Sequence, residues 1–340
     1  MRRLALLLSV LTLTACGAQP ADPPDGAAAR TTESRQADGF PVTVENCGRK
    51  LTFDKPPAKV VTGYHPALET LIALGLQDHV AGRTNFTETA FLPGQEEIYD
   101  KIPEISPMIT LPQKEIMLAQ GADFVLDNSS TSFDPAGGFA TAEELTAAGS
   151  PVYILGGWCT PEQQLDYTIE DIFTDLRNLG AIFGVPDRAG KLISELRGKL
   201  DDATKRVAGR PKVRVLATDG GTGPVNAYGG SGLTNQMIEL AGGQNVLADV
   251  KADYTEVNVE KIAATDPEAL LVSEYAVLMG EQKPSAPVKA AQTFAIARNS
   301  AAAKDKRFLP LPAAAQHPGY RNLLAVVEIA RFLHPGAFTG

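Results

Sequence analysis

Three cysteines, one tryptophan and four histidines are few reactive or metal-binding side chains for 340 residues. The histidines are His65, His79, His317 and His334, none spaced four apart or set beside a cysteine, so the chain has no metal-ligand spacing and no resident metal is expected. Gly230-Ser231-Gly232 lacks the pattern of a nucleophile elbow, and no other nucleophile–base motif is present, so the chain does not read as an enzyme. Bases are also in deficit. With 31 Lys and Arg against 40 Asp and Glu the formal charge is -9, which argues against nucleic acid as a partner. No apolar run reaches 18 residues, so no segment is long enough to cross a bilayer as a helix.

The N-terminus carries a different signal. Arg2 and Arg3 precede an apolar stretch from Leu4 to Leu13, and Leu13-Thr14-Ala15-Cys16 follows. This reads as a signal peptide over residues 1–15. A cysteine at the cut resembles the lipobox of bacterial lipoproteins, which implies cleavage before Cys16 and lipidation of its thiol and new amine, palmitate included. The alternative is an ordinary signal peptide with an incidental cysteine. Residues 16–39 are rich in Ala, Pro, Asp, Thr and Ser and read as a flexible tether. The expected location is extracytoplasmic, anchored to the cell membrane through lipid only. Losing Arg2 and Arg3 with the leader takes the charge from -9 to -11. Two cysteines then remain, Cys47 and Cys159. An oxidising compartment favours a disulfide between them, against the alternative of two separate thiols.

From Phe40 onward the chain alternates strands and helices. Val42–Glu45 and Leu51–Phe53 flank Asn46-Cys47-Gly48 as a hairpin. Continuous apolar strands are expected at 59–63, 80–82, 122–126 and 152–155, with helices over 66–74, closed by Gly75, and over 140–148. Helices follow over 161–183 and 187–207, parted by Gly184-Val185-Pro186. The second carries Ile193, Leu196 and Leu200 on one face. The pattern restarts with a strand at 213–217, a helix over 234–240, strands at 270–273 and 308–311, and a closing helix over 319–333. Such alternation predicts an α/β fold with parallel sheets. The expected divisions are an N-terminal α/β lobe over 40–186, a connecting helix over 187–208 and a C-terminal α/β lobe over 209–340.

One unit occurs twice. Glu115 to Leu126 and Glu260 to Leu271 align without gaps, each a short apolar helix, a break, an acid (Asp123, Glu268) and a buried-type strand. Each glutamate falls in or near a first helical turn, where the helix dipole favours a carboxylate. A helix-start acid is therefore one reading. The repeat adds another, two similar lobes with equivalent acids on equivalent edges.

These ordered segments, with Gly48-Arg49, Leu68-Glu69-Thr70-Leu71, Gly242-Gly243-Gln244-Asn245 and Pro318-Gly319, resemble those of the substrate-binding lipoproteins of ABC importers for iron–siderophore complexes, haem or cobalamin. The resemblance covers nearly all of residues 40–335. It implies two Rossmann-like α/β lobes joined by one long helix, with the ligand cleft between the lobes. It also implies that Glu115 and Glu260 dock onto arginines of the permease dimer, an arrangement suited to charge-assisted contacts on a twofold partner.

Ligands of parallel sheets lie outside the carboxyl ends of the strands. The side chains expected there are Tyr64, His65, Arg83, Trp158, Tyr228, Tyr254, Tyr275, His317 and Arg321. Aromatic platforms suit a large chelate, and Arg83 and Arg321 suit an anionic one. Glu69 lies within an apolar helix stripe and reads as structural. The partners implied are an ABC permease and a small-molecule metal chelate. A ferric siderophore is the leading ligand and cobalamin or haem the alternatives. A lipid-anchored hydrolase or sensor using the same cleft is the rival of another class.

Overall fold

The computed structural model describes residues 39–85, 91–275, 277–278 and 281–339. The leader, Cys16 and the tether lie outside the described residues. Strands β1 (Val42–Asn46) and β2 (Arg49–Phe53) pair antiparallel, with Asn46 opposite Arg49. Cys47 (φ 54) and Gly48 (φ 69) both occupy the left-handed region, as a two-residue loop of this twist requires. Cys47 is disulfide-bonded to Cys159, with Cα atoms 5.5 Å apart across 112 residues of sequence. Asn46 reinforces the link: its amide donates to the Ile154 carbonyl and accepts from the Ile154 N–H, both at 2.8 Å.

The first sheet is all parallel: β5 (Glu104–Ser106), β4 (Val80–Thr84), β3 (Val60–Thr62), β6 (Phe124–Asp127) and β7 (Val152–Ile154), in that order. β3, β6 and β7 are buried along their whole length, which is why they read as continuous apolar runs.

The helix expected over 161–183 is two helices, Pro161–Asp166 and Ile169–Ile182. The break is local chemistry. Thr168 starts the second helix with a capping box, its N–H and hydroxyl both held by the Asp171 carboxylate at 2.7 Å. Val185 then ends the turn, Pro186 takes the first helical position, and a helix of 22 residues runs from Pro186 to Val207. Its Leu196, Leu200, Ala203 and Val207 are buried; Ile193 is only partly covered. It packs on Ile169–Ile182 and on the closing helix Arg321–Leu333.

The second sheet departs from expectation. Its order is β11 (Tyr254–Val257), β9 (Val225–Tyr228), β8 (Val213–Gly220), β12 (Ala269–Glu274) and β15 (Phe308–Pro312), with β10 (Gly243–Asn245) beside the start of β8. β8, β10, β12 and β15 are parallel, but β9 and β11 are antiparallel additions. A separate small ribbon pairs β13 (Val277–Leu278) with β14 (Glu281–Gln282). Side chains of β8 and β12 alternate between two apolar clusters. Val215, Ala217, Ala269 and Leu271 join the main core; Leu216, Leu270 and Val272 join a smaller cluster on the other face. Among the described residues no helix is long and apolar enough to cross a membrane.

Candidate ligand cleft

The carboxyl ends of both sheets converge on a cavity of about 290 Å³. Tyr64, Ile109, Trp158 and Gln164 line it from the first half of the chain. Asp219, Tyr228, Asp253, Tyr254, Tyr275, Ala313, Gln316 and His317 line it from the second.

Most of the aromatic side chains are placed by strand ends. Tyr64 is the extended residue between β3 and the helix His65–Ala73. Gly63 lets this turn close, since a β-carbon there would lie 2.0 Å from the buried Asp127 carboxylate. Beyond β7 the chain turns at Gly156 (φ 67) and Gly157 (φ 59) to set down Trp158. The buried Asp175 fastens this turn, accepting 2.7 Å hydrogen bonds from the Gly156 N–H and the Tyr153 hydroxyl. Tyr228 and Tyr254 are directly opposed residues of β9 and β11, with ring centroids 5.0 Å apart. His317 links the walls, 5.0 Å from the Tyr64 ring and 5.8 Å from Trp158.

The polar floor is organised around Asp219. Its carboxylate accepts from the Tyr254 hydroxyl at 3.1 Å, from the Tyr275 hydroxyl, and from Lys289 Nζ at 2.7 Å. Lys289 also donates to the Ser273 carbonyl at 3.0 Å and sits 3.5 Å from the Tyr275 ring centroid. Burial and the Asp219 charge push the Tyr275 and Tyr254 phenols up, so both stay protonated. Burial pushes the His317 imidazole down to about 4, so it is neutral at physiological pH. Burial pushes the Asp253 carboxyl up to about 7.

Six of the nine expected ligand residues therefore meet at one cavity: Tyr64, Trp158, Tyr228, Tyr254, Tyr275 and His317. The other three do not line it. His65, one residue past Tyr64, turns inward as the helix begins. Its Nε2 lies 2.9 Å from Glu69 Oε1, and Arg321 Nε donates to Glu69 Oε2 at 2.8 Å, with a second contact from Arg321 Nη2 to Glu69 Oε1. The cluster is buried, and it ties the helix His65–Ala73 to the closing helix Arg321–Leu333. Arg83 bonds the Tyr99 carbonyl at 3.0 Å and Glu104 at 3.2 Å. Neither arginine is among the described residues that line the cavity. Asp219, Asp253, Gln164 and Gln316 are cavity residues that the expected ligand set did not contain.

The two repeat units fold alike. Glu115 and Glu260 are exposed in the first turns of the helices Lys114–Ala119 and Val259–Ala264, and neither lines the cavity. The second acid of each unit has a clear structural task. Asp123 accepts from the Ala58 and Lys59 N–H groups at 2.8 Å and returns its own N–H to the Lys59 carbonyl at 3.0 Å. Glu268 accepts from the Arg214 N–H at 2.9 Å and returns its N–H to the Arg214 carbonyl at 2.8 Å. Each acid thus clamps the start of the neighbouring strand, β3 in one half and β8 in the other.

Residues 60–315 match a family model described as a periplasmic binding protein. The chain belongs to the periplasmic binding protein family. This periplasmic binding protein is 24% identical over 275 residues to an uncharacterised ABC transporter substrate-binding lipoprotein of Bacillus subtilis, covering 79% of each chain. It is 25% identical over 276 residues to a cobalamin-binding protein of Halobacterium salinarum, covering 79% of this chain and 67% of the relative. Among solved structures, a periplasmic binding protein from Veillonella parvula superimposes with a TM-score of 0.72 at 22% identity, over 86% of this chain and 97% of that one. The shared architecture is two α/β lobes.

Proposed function

We propose that this protein is an extracytoplasmic receptor, anchored by lipid at Cys16, that captures a metal chelate and delivers it to the permease dimer of an ABC importer. The ligand class is a ferric-siderophore-type chelate, with a corrinoid as the second reading because one relative is named as a cobalamin-binding protein. The observation that carries this is the cavity itself, with aromatic rings brought from strand ends of both sheets and His317 set between Tyr64 and Trp158. Such a wall offers flat apolar contact with a few polar groups for orientation. At about 290 Å³ the cavity encloses only part of a chelate. Tyr254 of the wall is 46% exposed and carries the apolar contact outward. Glu115 and Glu260 supply the delivery step, as exposed carboxylates at equivalent places in the two halves.

Native mass spectrometry with a panel of ferric siderophores, haem and cyanocobalamin tests the reading. The expected result is a one-to-one complex with one class, released chemically unchanged. Recovery of a cleaved panel member would instead support a hydrolase.

A further inference from the structure

A second property follows from the charges around the cleft, and it rests on the receptor reading. Among the described residues lining the cavity there are two carboxylates, Asp219 and Asp253, and no lysine or arginine. The sequence positions 86–90, 276 and 279–280 contain no basic residue either. Lys289, whose ammonium holds Asp219, is 2% exposed and engaged with Asp219, the Ser273 carbonyl and the Tyr275 ring. Lys289 offsets Asp219, and His317 is neutral. Among the described residues Asp253 has no such counterpart. Its Oδ1 is buried without a hydrogen-bond partner, packed so closely on Gly232 that a β-carbon there would lie 2.3 Å from it. The loop that carries Asp253 is held in place: the Gly229, Gly230 and Ser231 N–H groups donate to the Asp253, Val250 and Ala252 carbonyls.

Two other polar atoms of cavity residues are buried without partners, Trp158 Nε1 and Gln316 Nε2. Both are donors. Buried polar groups in folded proteins are almost always satisfied, so these three mark hydrogen bonds that a ligand or an ordered water completes. Together they ask for a molecule that offers N–H groups to a carboxylate and carbonyl-type oxygens to two donors. Amides offer both. Burial pushes the Asp253 carboxyl up to about 7, so above that pH an anionic chelate would meet an ionised carboxylate in a low-dielectric wall with no lysine or arginine among the described lining residues.

We propose that the cleft selects neutral or cationic, amide-bearing chelates, with Asp253 as the specificity-determining acceptor, and turns away anionic ones. Arg83 and Arg321, the cations suited to an anionic ligand, do not line this cavity.

The test is a charge series on one scaffold. The ferric complex of a linear trihydroxamate ending in a free ammonium is compared with its N-acetyl (neutral) and N-succinyl (anionic) derivatives, alongside cyanocobalamin and a ferric tricatecholate. Affinities are measured by calorimetry at a pH well above 7, where Asp253 is ionised, for the wild type, Asp253→Asn and Trp158→Phe, with circular dichroism and unfolding midpoints confirming that the variants fold. In the wild type, the neutral and cationic forms should bind at least about tenfold more tightly than the succinylated form. A hydrogen bond to a charged group sets the scale: Asp253→Asn should weaken the ammonium form by about 10- to 100-fold and close the gap to the succinylated form. Trp158→Phe should weaken all binders by about the same factor and leave the charge order intact. Equal or tighter binding of an anionic form by the wild type overturns the proposal, as does an unchanged charge order in Asp253→Asn. If Asp253→Asn fails to fold, the wild-type order and Trp158→Phe decide. Failure of every probe to bind, whatever its charge, takes down the receptor reading and this inference with it. Tight anionic binding leaves the receptor reading standing.

Discussion

Glu69→Ala should lower the unfolding free energy by about 3–5 kcal/mol, because it leaves the Arg321 guanidinium buried without its carboxylate. Arg321 is 5% exposed and Glu69 is not exposed at all, so water cannot replace the lost partner. The pair joins the helix His65–Ala73 to the closing helix Arg321–Leu333 across 252 residues of sequence, so its loss loosens packing in both halves. Glu69→Leu combined with Arg321→Met should cost much less than either single change, since a buried pair replaced by apolar volume is often near neutral. The pH dependence has a defined sign. Burial pushes the Glu69 carboxyl up, but hydrogen bonds from Arg321 and His65 outweigh it and hold the group below its ordinary 4.5. A carboxyl lowered on folding contributes stability above its unfolded value and loses that contribution as the pH falls through the folded one. The gap between wild type and Glu69→Ala should therefore narrow as the pH falls below about 4.5. Comparing the two proteins cancels Asp127 and Asp175, which burial pushes up to about 6 and about 7 and which favour the folded state as the pH falls. Urea unfolding midpoints across that range check both statements; an unchanged midpoint in Glu69→Ala at neutral pH contradicts them.

The combined change Glu115→Ala and Glu260→Ala should nearly abolish uptake while leaving ligand affinity within about twofold. Truncating one partner of a buried charge pair at an interface costs about 2–5 kcal/mol, and two such contacts are removed. Single changes should be intermediate, and reversal to Arg worse than truncation, because like charges then face one another. Ligand affinity is spared because neither glutamate lines the cavity. Uptake by cells carrying the cognate permease, paired with ligand titration of the purified variants, measures both. Full uptake by the double variant would remove the docking role; a large loss of affinity would move these glutamates into the cleft.

Much of this architecture was legible in the residues, for identifiable reasons. β3, β6 and β7 are buried along their whole length and so appear as unbroken apolar runs, and the repeat itself implies two similar halves. The antiparallel pair β9 and β11 was not announced. Val225–Tyr228 is four residues of mixed polarity after a glycine-rich turn, and its partner lies beyond an intervening helix. The helix Ala286–Ile296, which carries Lys289, also passed unread; it is rich in alanine and shows only a weak apolar stripe.

At the site, aromatic residues just past strand ends reach the cleft because the backbone delivers them there. His65, Arg83 and Arg321 stand at similar chain positions and turn elsewhere. In each case a partner distant in sequence or a helical rotation decided the direction, and neither leaves a trace in one sequence. Asp253 is the converse, a loop acid indistinguishable from its solvated neighbours until the fold buries it.

The chain's one tryptophan, Trp158, lies in the cavity wall, so it reports directly on whether this is a chelate receptor. Titrating the protein with ferric trihydroxamates, haem and cyanocobalamin while following Trp158 fluorescence should give saturable one-site quenching with one class, and the ligand should be recovered intact after dilution. Unaltered emission with every member of the panel, or steady conversion of one of them to product, would contradict the account.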